Sequence, residues 1–104
     1  MKIIFDQGTP RPLRRFLPGH EVQTSVRMGW SELENGILLR RAESNFDLLI
    51  TTDKNIRYQQ NLRGRQLAIL VLPVSDWNVV KLHVDQILQA VNAMRPGDYR
   101  ELTW

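Results

Sequence analysis

The sequence predicts an α/β fold, in which a central and mainly parallel β-sheet forms the middle layer of a three-layer α/β/α sandwich. Two observations support this prediction. Short segments that are apolar throughout alternate along the chain with segments of helical pattern. A strand without polar alternation is typical of a parallel sheet that helices cover on both faces.

The predicted strands lie at 2–5, 20–26, 46–52, 67–72 and 99–104. The segment at 20–26 is the weakest of these, because it mixes polar and apolar residues. The last strand would form an edge of the sheet. Asp6, Asp53 and Pro73 end the three clear apolar strands, since Asp and Pro are both depleted from strand interiors.

The predicted helices alternate with these strands and lie at 12–17, 31–43, 54–62 and 77–94. Ser31 and Glu34 have the spacing of a capping box, which predicts that Ser31 caps the second helix. Apolar residues at spacings of three and four define the last helix, which Ser75 or Asp76 would cap.

Length and composition indicate one globular domain, residues 1–104. Hydrophobic residues make up 42% and charged residues 24% of the chain, which is an ordinary globular composition. The absence of cysteine excludes a disulfide framework and a thiolate zinc site. Because every apolar run is too short for a signal peptide or a membrane span, we predict a cytoplasmic protein without membrane association.

Two aspartates follow predicted strands at the point where each strand ends, namely Asp6 and Asp53. Because α/β sheets place their sites at the carboxyl ends of the strands, we expect both side chains at the same edge. Carboxylate oxygens are ligands that Mg²⁺ and Mn²⁺ prefer. The alternative is structural: Asp6 would start a turn, and Asp53 would cap the helix that follows it.

The start of the second predicted helix contributes two further candidates. Asn35 could face the sheet edge and hydrogen-bond a metal-bound water or a phosphate. Glu34 could join a metal site, but its place in the capping box is a competing explanation. Glu32 has a weaker structural explanation, a favourable charge in the first helical turn.

Basic side chains are the candidates for nucleic-acid contacts. The formal net charge of +3 is only modestly basic, so the positions of the charges matter more than their sum. Arg14, Lys54 and Arg57 could hold phosphates near the acidic pair. The alternative for each of them is a solvated helix face.

Two other kinds of site lack support in the sequence. His20 and His83 are far apart and have neither metal-ligand spacing nor a nucleophile partner, which argues against a hydrolase of the Ser-His-Asp type. Gly8 stands alone and forms no glycine-rich phosphate loop.

Four segments resemble the small PIN-like proteins of bacteria, which are related to PIN-domain ribonucleases and to VapC-type toxins of toxin–antitoxin pairs. The segments are FDQGTPRPLRRFLPGHEV, NGILLRRAE, FDLLITTDKN and YQQNLRGRQLAILVL. The resemblance covers nearly the whole chain. It implies a PIN-like α/β/α sandwich that cleaves RNA with one or two Mg²⁺ or Mn²⁺ ions held by three or four acidic residues.

The resemblance also implies roles for individual residues. The catalytic positions are Asp6, Asp53 in the Thr-Thr-Asp segment, and Asn35, which stands where the nucleases carry another acid. A fourth acid has no clear match in this chain. The implied metal ligands are therefore Asp6 and Asp53, with Glu34 as a substitute for a missing acid.

Two functional hypotheses follow. The chain is either a Mg²⁺- or Mn²⁺-dependent ribonuclease, with an antitoxin protein as partner if it is a toxin, or a catalytically inactive PIN-like domain that binds RNA or a protein partner. PIN domains often dimerise, and the predicted edge strand at 99–104 would allow a homodimer. Metal binding that depends on Asp53 would favour the ribonuclease.

Overall fold

The computed structural model describes residues 1–56 and 65–104. Its five strands are β1 (Lys2–Phe5), β2 (Glu21–Thr24), β3 (Leu48–Thr51), β4 (Ala68–Val71) and β5 (Tyr99–Glu101). Its α-helices are α1 (Asn35–Asn45), α2 (Trp77–Val80) and α3 (Val84–Ala93), and two short 3-10 helices lie at Arg11–Phe16 and Lys81–His83.

The strands form one sheet in the order β2-β1-β3-β4-β5, and every neighbouring pair is parallel. The chain therefore runs from β1 to one side for β2 and then crosses to the other side of β1 for β3. A reversal of this kind opens a crevice at the carboxyl ends of the two central strands, which here are β1 and β3.

Helices cover both faces of the sheet, which confirms the predicted α/β/α sandwich. One face carries Ile3, Phe5 and Ile50 and packs against α2, α3 and the first 3-10 helix. The other face carries Ile4 and Leu49 and packs against α1. Burial on both faces explains why these strands are apolar without alternation.

The predicted capping box is wrong. Helix α1 begins at Asn35, so Glu34 occupies the N-cap position itself and its side chain makes no capping hydrogen bond. The chain before it is still in a turn, since the backbone amide of Leu33 donates to the carbonyl of Trp30 (3.1 Å). Ser31 thus lies too early in the chain to cap this helix.

The last predicted helix is present in three consecutive parts, because the 3-10 turn at Lys81–His83 separates α2 from α3. Of the two predicted caps, the structure selects Asp76, whose side chain accepts a hydrogen bond from the backbone amide of Asn78 (2.9 Å). The predicted helix at 54–62 lies mostly outside the described residues. No helix in the described part of the chain is both long and apolar enough to cross a membrane.

Candidate functional site

The carboxyl edge of the sheet brings Ser25, Asp6 and Thr51 into one row across three neighbouring strands. Strand β1 ends at Phe5, which pairs with Thr24 of β2 and with the penultimate residue of β3. The next position on each strand is Ser25, Asp6 or Thr51. Because paired residues point to the same face and successive residues alternate, the row lies on the face that α1 covers.

Two threonine hydroxyls surround the carboxylate of Asp6. Thr9 Oγ1 lies 2.8 Å from Asp6 Oδ1, and the Thr51 hydroxyl donates a hydrogen bond to Asp6 Oδ2. Thr9 Oγ1 also lies 2.7 Å from the carbonyl oxygen of Ile50. Since a hydroxyl has one proton, Thr9 can donate to the carboxylate or to that carbonyl, but not fully to both.

This arrangement suits both protonation states of Asp6. Burial raises the pKa of the Asp6 carboxyl above its ordinary value of 3.8, although hydrogen bonds from Thr51, Thr9 and the amide of Gly8 act in the opposite direction. When the carboxyl is neutral it can donate to Thr9, which then donates to Ile50. When it is charged, Thr9 can donate to the carboxylate instead.

The loop after Asp6 is held close to β3. A Cβ atom built on Gly8 would lie 2.5 Å from Thr52 Oγ1 and 3.9 Å from Asp6 Oδ1. Because Thr is branched at Cβ, its hydroxyl has few rotamers in which to avoid this contact. Close packing against Thr52 therefore explains why a residue without a side chain stands at position 8. This explanation does not involve a phosphate-binding loop.

Asp53 is connected to the same group of residues. Its backbone amide donates to Thr51 Oγ1 (3.1 Å), so one threonine hydroxyl links Asp6 and Asp53. Asp53 Oδ1 accepts from the amide of Asn55 (2.9 Å), a bond to the amide two residues on, as an N-cap side chain makes; the predicted helix that Asp53 would cap lies mostly outside the described residues. Asp53 Oδ2 accepts from Asn35 Nδ2 (2.8 Å). The second carboxylate oxygen of Asp53 is thus bonded to Asn35.

The head of α1 places Asn35 in the site and Glu34 at its rim. Asn35 is the first residue of α1, is partly buried and bonds directly to Asp53, as a shared site requires. Glu34 is exposed and makes no capping bond. The capping box, which was the alternative to a metal role for Glu34, is therefore absent. Glu34 is also not among the residues that line the cleft beside Asp6.

A cleft of about 180 Å³ opens between this edge of the sheet and the chain leading into α1. It is lined by Asp6, Gln7, Ser25, Trp30, Ser31, Leu33, Asn35 and Leu38. Trp30 packs edge-on against Phe46, with ring centroids 6.1 Å apart. The cleft thus has a rigid aromatic wall and several side-chain oxygens, and it lies at the crevice that the strand order creates.

The three basic candidates have different positions. Lys54 follows Asp53 at the same sheet edge and lines a second, smaller cleft of about 140 Å³ beside β4 and β5. Arg14 is exposed on the first 3-10 helix, on the face of the sheet opposite α1, and does not line the Asp6 cleft. Arg57 lies outside the described residues.

Three residues of this site are not among the candidates that the sequence predicts. Thr51 and Thr9, which are both buried, hold the carboxylate of Asp6, and Ser25 lies beside it. The Thr-Thr-Asp segment was a signal for Thr51. Thr9 and Ser25 carried none, since one is in a turn and the other falls inside the weak predicted strand at 20–26.

The donor set fits a hard divalent cation. Asp6 supplies a carboxylate to the cleft, and the carboxylate of Asp53 is bonded to Asn35 of the same cleft. Mg²⁺ is commonly bound through one or two carboxylates while it keeps several waters. Within residues 1–56 and 65–104, no group of three or more His, Cys, Asp or Glu side chains comes together. The described residues therefore fit a sparse, hydrated site better than a cage of carboxylates.

Comparisons of the chain with family models, with curated proteins and with solved structures find no match. The function proposed below is therefore argued from the residues and their geometry, together with the resemblance of the sequence segments.

Proposed function

We propose that this chain is a PIN-like domain that binds one Mg²⁺ or Mn²⁺ ion and acts as a ribonuclease. The observation that supports this proposal is that Asp6 and Asn35 line one cleft at the carboxyl edge of the sheet and that Asn35 donates a hydrogen bond to Asp53. Asp6 follows β1, Asn35 begins α1 and Asp53 follows β3, so residues up to 47 positions apart in the sequence lie at one edge of the sheet. A merely structural turn and a merely structural cap would not require a hydrogen bond from Asn35 to Asp53.

A divalent ion held by Asp6 and Asp53 would supply charge stabilisation for a phosphodiester and a more acidic water for hydrolysis. The chain's own residues perform the other parts of the function. Thr9 and Thr51 orient the Asp6 carboxylate, and Asn35 fixes the orientation of Asp53. Lys54, which follows Asp53 and lines the neighbouring cleft, would attract the phosphate backbone of RNA.

A second candidate function is a catalytically inactive PIN-like domain that binds RNA or a protein partner, such as an antitoxin. The observation in its favour is the state of Asp6, since burial raises the pKa of its carboxyl and both oxygens contact threonine hydroxyls. Asn35 also stands at a position where the nucleases carry a charged ligand. Both features weaken cation binding relative to a full set of acids.

Calorimetric titration with Mn²⁺ separates these candidates when it is made on the wild type, Asp6→Asn and Asp53→Asn. Asp47→Asn is the matched control, because Asp47 is an exposed carboxylate that accepts from the amide of Lys2 at the opposite edge of the sheet. We expect saturable binding that is at least tenfold weaker in both site variants and unchanged in the control.

The same four proteins should then be incubated with single-stranded RNA in the presence of Mn²⁺. Cleavage by the wild type and the control, lost in both site variants, supports the ribonuclease. Saturable metal binding without cleavage of any RNA supports the inactive domain, and no binding at millimolar Mn²⁺ overturns the metal-dependent function.

A further inference from the structure

Ser25 is a buried polar side chain whose hydroxyl is not used by the fold. The residue is 1% exposed, and within the described residues its Oγ has no hydrogen-bond partner. Buried hydroxyls nearly always have one, so an exception asks for an explanation.

Two backbone hydrogen bonds hold Ser25 in position at the sheet edge. Its amide donates to the carbonyl of Phe5 (2.8 Å), and its carbonyl accepts from the amide of Trp30 (2.7 Å). These bonds place Ser25 beside Asp6 in the row at the sheet edge, and both side chains line the same cleft. Ser25 therefore borders the space in which a ligand of Asp6 would lie, and a change of its χ1 rotamer can turn the hydroxyl toward that space.

The chemistry of the lining favours a cation in that space. Five of its side chains carry oxygen atoms (Asp6, Gln7, Ser25, Ser31 and Asn35), and no Lys or Arg belongs to the described lining. A free phosphate would meet the negative charge of Asp6 there without a compensating cation. A hydrated divalent ion would instead find a carboxylate for its charge and neutral oxygens for its waters.

We propose that Ser25 is a further metal-site residue, whose hydroxyl holds a water molecule of the divalent cation bound at Asp6. This inference rests on the proposed function and deepens it. A neutral hydroxyl cannot replace the charge of a missing acid, but it can orient one water of an ion that keeps most of its hydration shell. Partners of this kind commonly change metal affinity by 10- to 100-fold.

The test compares Ser25→Ala with Ser44→Ala, a matched control on an exposed position of α1 whose hydroxyl donates to the carbonyl of Arg40 (3.4 Å). Mn²⁺ affinity is measured by calorimetry, and thermal unfolding is measured without metal. We expect Ser25→Ala to bind Mn²⁺ about tenfold more weakly than the wild type. Without metal its unfolding temperature should be equal to or above that of the wild type, because no hydrogen bond of the fold is lost.

Three outcomes would overturn the inference. Equal Mn²⁺ affinity in Ser25→Ala and Ser44→Ala would show that the hydroxyl does not serve the ion. A lower unfolding temperature of metal-free Ser25→Ala would assign Ser25 to the fold instead. If the wild type itself binds no Mn²⁺, the proposed function fails as well, and this result is distinct from normal binding by both variants.

Discussion

Replacing Asp6 by asparagine should stabilise the metal-free protein while it abolishes metal binding. The amide group fits the existing hydrogen bonds, because its oxygen can accept from Thr51 and its nitrogen can donate to Thr9, which then donates to the carbonyl of Ile50. The substitution therefore removes a partly buried charge and keeps the hydrogen bonds to both threonine hydroxyls, while the backbone amides of Gly8 and Thr9 lose a charged acceptor. Residues that bind ligands are often kept at such a cost to stability.

The stability difference between Asp6→Asn and the wild type should grow as pH rises. Burial raises the pKa of Asp6 in the folded protein above its ordinary value of 3.8. Between these two values the folded state binds more protons than the unfolded state, so wild-type stability falls as pH rises through this window. Below the window both states are protonated and the burial cost vanishes. Above the window the full cost is present, and there we expect Asp6→Asn to gain about 1 kcal/mol.

Urea denaturation of both proteins in EDTA, at a series of pH values from 3 to 8, would measure this difference. It should grow with pH and then level off above the raised pKa of Asp6. Adding Mn²⁺ at about 100 times its Kd should stabilise only the wild type, by about 2.7 kcal/mol, and so reverse the order. A metal-free Asp6→Asn protein that is less stable than the wild type at pH 7, or a difference independent of pH, would refute the reasoning.

Two further predictions concern the fold. Asp76→Ala should lower stability by about 1 kcal/mol, because it removes the N-cap of α2. The control Ser75→Ala should change stability by less than about 0.5 kcal/mol. Equal effects of the two substitutions in thermal or urea unfolding would contradict the assigned cap. Gly97→Ala should cost about 1 kcal/mol more than Gly19→Ala. Both glycines have positive φ, but only at Gly97 would a Cβ meet a backbone oxygen, at 2.9 Å; similar losses in the two variants would show that this contact relaxes freely.

Most of the architecture could be predicted from local patterns. Strands that are apolar throughout indicated burial on both faces, and the residues that end them located the carboxyl edge of the sheet. Asp6 and Asp53 were placed at that edge for this reason alone. The start of α1 was predicted wrongly, because the Ser31–Glu34 spacing is a local signal, while the turn through Trp30 and Leu33 delays the helix to Asn35.

The sequence by itself determined which segments are strands and helices and which polar residues end the strands. Only the tertiary structure decided the order β2-β1-β3-β4-β5 and the register, and with them the neighbours of Asp6. Ser25 and Thr51 flank Asp6 because they occupy the same level on adjacent strands, although they are 19 and 45 residues away from it in the chain. Pairing between distant strands depends on hydrogen bonds and packing across the whole sheet, and no local pattern of residues encodes it.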